Sequence, residues 1–290
     1  MHPKRLSIVG VGLLGGSLGL ALRALSDAPY EVIGFGHRPA TLQTALGIGA
    51  IDRAADDLQS AVADASIVVL CTPVGLFEQL LAQMAAHLKP GTIVTDVGST
   101  KRSVVAAAKR LLPDGVRFLG SHPMAGSEKR GIEFARTDLF QGATCIVTPT
   151  PDTRADTLDA VESLWRNLGM RVVRLSPDEH DRLLADISHL PHALAAALIA
   201  MQEPDALALA GKGFLDTTRI AGGDGAMWRD ILLDNRDNLH NSVARLREQL
   251  ARLLTMLEEN QAKELARWLD AAAARRQELL QQKLREVNPD

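Results

Sequence analysis

Gly10, Gly12 and Gly15 fall in G-x-G-x-x-G spacing, directly after an apolar run and at the mouth of an apolar helical pattern. Few arrangements constrain a fold more. A strand at 6–9 must turn sharply at Gly10, admit a ligand to bare backbone at Gly12, and let the next helix close on the strand at Gly15. Each of those steps excludes a side chain. Leu13 and Leu14 open a helix whose unpaired N–H groups and positive dipole end suit a pyrophosphate. The expectation is a dinucleotide site on Gly10, Gly12, Leu13, Leu14 and Gly15; the plainer reading is a Gly-rich turn kept for packing.

The second apolar run ends Ile33-Gly34-Phe35-Gly36-His37-Arg38. Chains that bind NAD usually carry an Asp or Glu here for the ribose 2′-hydroxyl, and this one carries Gly36. Arg38, with His37 beside it, suits a 2′-phosphate through charge-assisted hydrogen bonds. NADP is therefore favoured as cofactor, with NAD the alternative, unless Arg38 is only a solvated charge stacking on adenine.

Further strand patterns recur at 66–71, 92–96, 116–119, 144–148 and 171–175, alternating with helical patterns at 76–88, 101–112 and 154–168. Alternation of this kind specifies a mostly parallel sheet covered by helices. Beyond Pro177 the strand patterns stop and Leu/Ala-rich helical ones take over. The expected fold class is α/β: a Rossmann-type dinucleotide-binding domain over 1–176, then an all-helical domain over 177–290. Leu239, Val243, Leu246, Leu250, Leu253 and Leu257 follow three- and four-residue steps, and Leu265, Trp268, Leu269 and Leu279 continue a similar stripe. Such a stripe closes on its own chain or on a second copy, and so much Leu in so few helices favours a homodimer.

The 290 residues, 46% of them hydrophobic, can fill the cores of two domains. A net charge of −3 offers no broad basic surface, so nucleic acid is not an expected partner. No uninterrupted apolar stretch of spanning length and no N-terminal apolar leader stand out, so no membrane partner is expected either. Cys71 and Cys145 lie in apolar strand patterns far apart in sequence, which reads as buried reduced thiols, no metal motif and a cytoplasmic protein.

The third and fourth runs lead into Cys71-Thr72-Pro73-Val74 and Asp96-Val97-Gly98-Ser99-Thr100-Lys101. Ligands of open α/β sheets bind at the carboxyl ends of the strands, which places Thr72, Pro73 and Ser99 beside the nicotinamide side of the cofactor. Ser99 and Thr100 are equally suited to be plain N-caps, with Lys101 exposed. The fifth run ends in a polar loop, Ser121-His122-Pro123-Met124-Ala125-Gly126-Ser127-Glu128-Lys129. A histidine on the same edge as Ser99 can accept the proton of a substrate alcohol while hydride leaves the carbon. In the helical half, Ser188-His189-Leu190-Pro191-His192 sets two histidines three apart. Asp216-Thr217-Thr218-Arg219-Ile220-Ala221 carries an arginine that either pairs with Asp216 or, buried, grips a carboxylate bidentately.

In this order, with Met227-Trp228-Arg229-Asp230-Ile231 at the end, these motifs resemble the prephenate/arogenate dehydrogenase family of tyrosine biosynthesis over essentially the whole chain. The resemblance implies a small-molecule substrate, prephenate or arogenate, held in a cleft between a Rossmann domain and a helical dimerisation domain. It implies that His122 accepts the ring-hydroxyl proton, with Ser99 orienting it and the nicotinamide. It further implies that Arg219 holds the ring carboxylate, that His192, His189 and Ser127 line the substrate pocket, and that Glu128 and Asp216 form a gate. Relatives often carry a basic residue before that aspartate, where this chain has Leu215, and Gly223-Asp224-Gly225 replaces a more usual Ser-Asp-Pro. Prephenate is the first expectation; arogenate or dual specificity is the alternative, with Arg130 the cation available to compensate. A β-hydroxyacid dehydrogenase would want a helix-borne catalytic lysine near the domain junction, and a dinucleotide-sensing regulator would leave His122, Ser99 and Arg219 without a task.

Overall fold

The structure, a computed structural model, describes residues 4–26, 30–126 and 129–287. These residues fall into two compact units that part between Asn238 and Leu239. The first begins β1 (Lys4–Val9), α1 (Leu13–Arg23), β2 (Tyr30–Phe35), α2 (Pro39–Gly47), β3 (Arg53–Ala54), α3 (Leu58–Val62) and β4 (Ile67–Leu70). It continues with α4 (Phe77–Ala85), β5 (Ile93–Asp96), α5 (Arg102–Leu111) and β6 (Arg117–Phe118). The six strands form one parallel sheet in the order β3-β2-β1-β4-β5-β6, the doubly wound arrangement. Strand alternation divides its apolar side chains between two cores. Leu6, Ile8, Ile67 and Val69 join one cluster, while Val9, Val68, Leu70 and Val94 join the other with Phe77 and Leu81.

The run at 116–119 holds a strand as expected, but the polar loop expected after it opens as another strand. Arg117–Phe118 closes the parallel sheet, and β7 (Gly120–Pro123) starts a second sheet, antiparallel to β8 (Thr144–Thr148), which runs parallel to β9 (Arg171–Arg174) beyond α6 (Ala155–Asn167). Gly120 permits the crossing, because a Cβ there would meet Thr148 Oγ1 at 2.5 Å. His122 therefore sits on a strand and not in a polar loop, as a ladder partner of Ile146.

After Ser176 the first unit is helical: α7 (Pro177–Leu184), a π-helical turn Ala185–His189, α8 (Leu190–Ala200), α9 (Pro204–Ala208), α10 (Lys212–Thr218), a 3-10 turn Arg219–Gly222, α11 (Gly225–Asp234) and the start of α12 (Arg236–Glu258). Ser176 and Glu179 form a reciprocal capping box that starts α7. Contrary to the sequence expectation, Pro177–Ala200 reaches the length and mean hydropathy of a membrane span. Its fully enclosed His180, Asp181 and His189 are hydrogen-bonded to protein groups of this unit.

The second unit is the rest of α12 and α13 (Ala262–Val287), joined through Asn260 in the left-handed region at φ 51°. Trp268 donates to Gln249 across the pair at 3.4 Å, and a cavity of about 600 Å³ opens between Arg252, Met256, Glu264 and Arg267. Val243, Leu250, Leu254, Leu257, Leu269 and Leu279 are exposed.

A Cβ at Gly15 would lie 2.2 Å from the Gly10 carbonyl oxygen. Gly15→Ala is expected to lower stability by about 1–3 kcal/mol through forced separation of α1 from the turn, measured as the urea unfolding midpoint of the ligand-free protein.

Candidate active site

The glycine turn is shaped as its spacing predicts. Gly10 has φ +101° and donates its N–H to Phe35 O at 2.8 Å, while a Cβ on it would sit 2.8 Å from the main chain of Cys71 and Thr72. A Cβ at Gly12 would meet no heavy atom within 4 Å, so this position borders open ground where a ligand can reach the backbone. Gly12 is also the N-cap of α1 and brings no capping side chain, which leaves the first N–H groups of that helix to a ligand. Beside it Thr72 Oγ1 is buried without a hydrogen-bond partner, a polar atom that a bound cofactor would satisfy. The part-buried Leu13 and Leu14 begin α1, Pro73 precedes a 3-10 turn Val74–Leu76, and His37 and exposed Arg38 lie between β2 and α2. These positions fit a nicotinamide dinucleotide across β1 and β4, where the strand order reverses.

At the end of β5, Asp96 organises the neighbouring edge. Its Oδ2 accepts from Gly98 N at 2.8 Å and from the Lys101 ammonium, and its Oδ1 accepts from Ser121 N at 3.1 Å. Ser121 thereby holds β7, and His122 with it, against the carboxyl edge of the main sheet. The expectation that Lys101 is exposed is overturned: it is fully buried, because its chain runs inward to the Asp96 carboxylate.

His122 is oriented by a histidine that sequence reasoning missed. Its Nδ1 lies 2.9 Å from His180 Nε2, and His180 Nδ1 lies 2.8 Å from Asp181 Oδ1. Asp181 also accepts from the main-chain N–H groups of Lys101 at 2.8 Å and Arg102 at 3.0 Å, capping α5 from another helix. A carboxylate only accepts, so it fixes His180 as the Nδ1–H tautomer; His180 Nε2 then accepts from His122 Nδ1–H. The lone pair of His122 is left on Nε2. Ser99, expected to orient this ring, lies in the segment between β5 and α5.

His189 is fully enclosed: its Nδ1 accepts from Asn235 Nδ2 at 3.1 Å, and its Nε2 is buried without a hydrogen-bond partner among the described residues. Asn235 Nδ2 also donates to the Asp181 carbonyl at 2.7 Å. His192 stacks on Trp228 with ring centroids 3.6 Å apart, and Gly223 leaves room for both rings. Arg219 opens the 3-10 turn that packs on α8, and both it and Asp216 are exposed. Of the two readings open for Arg219, this chain by itself does not bury the guanidinium, because α10 ends at Thr218 and the turn carries Arg219 to the surface. Ser127 and Glu128 lie outside the described residues.

Burial, reinforced by His180, holds the His122 imidazole well below its usual pKa. Burial also lowers His180 against the opposing pull of Asp181, and lowers His189 to about 4. For Asp181, burial acts upward, but the bonds from His180, Arg102 and Lys101 outweigh it and hold the carboxyl below its usual range. One signal for the missed pair was present in sequence: the Ser176–Glu179 capping box sets the phase of α7 just before His180 and Asp181. Asn235 offered none.

Two outcomes are expected. Asn235→Ala removes the donor to His189 Nδ1 and one of the two donors to the Asp181 carbonyl, which keeps the Ala185 N–H, and lowers stability by about 1–3 kcal/mol, measured by urea unfolding. Because the folded pKa of His189 lies below its ordinary 6.5, the unfolded chain takes up the proton first. Stability is therefore full above about pH 6.5 and falls as pH drops toward 4; unfolding midpoints at pH 7.5 and 5.0 measure that loss, which His189→Gln diminishes.

Comparison with known proteins places this geometry. Residues 18–174 match the nucleotide-binding domain of prephenate dehydrogenase and 176–271 match its dimerization domain. Prephenate dehydrogenase of Bacillus subtilis is 36% identical over 272 residues, covering 91% of this chain and 73% of that one. The crystal structure of prephenate dehydrogenase from Aquifex aeolicus in complex with hydroxyphenyl propionate and NAD+ superposes with a TM-score of 0.89 at 33% identity, covering 96% of this chain and 99% of that one. Synechocystis arogenate dehydrogenase superposes with a TM-score of 0.81 at 33% identity, covering 95% and 99%. With the glycine cradle and the enclosed histidine both in place, the chain belongs to the prephenate dehydrogenase family of nicotinamide-dependent dehydrogenases.

Proposed function

We propose that this chain converts prephenate to 4-hydroxyphenylpyruvate in tyrosine synthesis, by oxidative decarboxylation. The observation that carries the reading is His122, whose Nδ1 is committed to His180 while the Nε2 lone pair remains to accept a proton. A nicotinamide dinucleotide held on the Gly10–Gly15 turn would supply the acceptor for the hydride of ring carbon C4. His122 Nε2 accepts the C4 hydroxyl proton, Arg219 holds the ring carboxylate before it leaves as CO2, and aromatisation of the ring drives the reaction. Ser99 and Pro73 border the nicotinamide side, His192 on its Trp228 platform lines the substrate side together with Ser127, and Glu128 and Asp216 serve as the gate.

Arogenate is the second substrate. Leu215 stands exposed where relatives often carry a cation, and Arg130 is taken by an ion pair with Asp224, the N-cap of α11. Neither position repels the ammonium of an amino-acid side chain. NADP is the favoured cofactor because Arg38 and His37 follow Gly36, with no carboxylate at that point. The division into a nucleotide domain at 1–176 and a helical substrate domain at 177–290 is supported by the last strand ending at Arg174. A homodimer through the helical part is supported by the uncovered leucines of α12 and α13, and a cytoplasmic location by two free thiols.

His122→Asn is expected to lower kcat by roughly 10²–10⁴-fold with little change in KM, and Arg219→Gln to raise KM mainly. Steady-state assays with both substrates and both cofactors measure these; a His122→Asn enzyme within a few-fold of the parent rejects the base assignment. Arg38→Ala is expected to erase the preference of kcat/KM for NADP over NAD.

A further inference from the structure

The chain His122–His180–Asp181 continues past the group that receives the substrate proton, and the geometry points to His180 as a proton-relaying residue that takes over the positive charge formed at His122. His122 is enclosed by β7, β8, α7 and the start of α5. The titratable groups facing it are His180, Lys101 and His189, with the Cys145 thiol near its main chain. Lys101 is neutralised by Asp96, and none of these groups is an anion in contact with the His122 ring. An imidazolium there would be a buried charge without a counterion, which burial penalises heavily. One bond further on the situation reverses. His180 faces Asp181, whose carboxylate is held ionised by four N–H donors, the Lys101 and Arg102 main-chain groups, the Arg102 guanidinium at 3.3 Å and His180 Nδ1, with Lys101 and Asp96 beyond.

The transfer balances within the residues present. As hydride departs, the substrate O–H bond breaks and an N–H bond forms at His122 Nε2. The His122 Nδ1–H bond breaks and an N–H bond forms at His180 Nε2. His122 ends neutral, now protonated on Nε2, and His180 becomes an imidazolium bonded to the Asp181 carboxylate. His180 is also a positioning residue before the reaction, since its tautomer determines which nitrogen of His122 faces the substrate.

The inference rests on His122 being the base of the proposed reaction, and His122→Asn assayed in parallel separates the two. If that variant retains turnover, the base reading fails; if it collapses while a His180 variant does not, the relay alone fails. His180→Gln keeps an amide oxygen for His122 Nδ1–H but cannot take the proton. Its expected kcat is roughly 10–100-fold below the parent, with the Kd of the cofactor by fluorescence and the Tm little changed. The acid limb of its kcat profile is expected to move by about half a pH unit or more, and the proton inventory in mixed H2O and D2O to change from curved to linear. An unchanged limb and inventory, or a kcat loss matched by equal loss of cofactor affinity, overturns the relay. Ring 15N shifts of the parent enzyme give a test without any variant: His122 is expected protonated on Nδ1, and protonation on Nε2 in the resting enzyme refutes the proposal.

Discussion

The Asp181 carboxylate holds together parts of the chain that share no local relationship. Its two oxygens receive the N–H groups of Lys101 and Arg102 at the start of α5 and the Nδ1–H of His180 on its own helix. Helix α5 has no capping side chain of its own, so its N-terminus depends on an anion supplied about eighty residues later. The same carboxylate decides the tautomer of His180 and, through it, that of His122. A single buried negative charge thus caps a helix, ties α7 to the edge of the main sheet and presets the proton-accepting nitrogen. Low dielectric strengthens these bonds and makes each of them costly to lose.

Two backbone approaches link this centre to the cofactor edge. Gly10 brings the first turn against Cys71 and Thr72, and a Cβ at Gly75 would fall 2.5 Å from Asp230 Oδ2 on α11. The turn Val74–Leu76 therefore lies pressed between the nucleotide edge and the helix that carries Trp228. His192 stacked on Trp228 and His189 bonded to Asn235 complete a wall in which aromatic and amide groups are already in place before substrate arrives.

Much of the fold was legible because its signals are local. Apolar runs at 6–9, 66–71 and 92–96 became central strands since residues alternating between two covered faces must all be apolar. The run at 116–119 holds its strand, but the segment after it was misjudged as a loop, because the change of sheet at Leu119 and Gly120 depends on Thr148 and Asp96, remote partners that leave no trace in the run itself. Lys101 was misjudged for a related reason: a lysine after a strand is ordinarily solvated, and only Asp96 at the bottom of the same edge draws it inward.

Taken alone, the glycine spacing determined the nucleotide-binding turn, since backbone conformation and absence of a Cβ are properties of single residues. The order of strands and helices likewise determined the doubly wound sheet, through period and burial. Only the tertiary structure decided which nitrogen of His122 is free, that His180 orients it and that Asn235 bonds His189. Those outcomes are set by hydrogen bonds between residues dozens of positions apart, and such bonds form only after the sheet edge, α7 and α11 have been packed together.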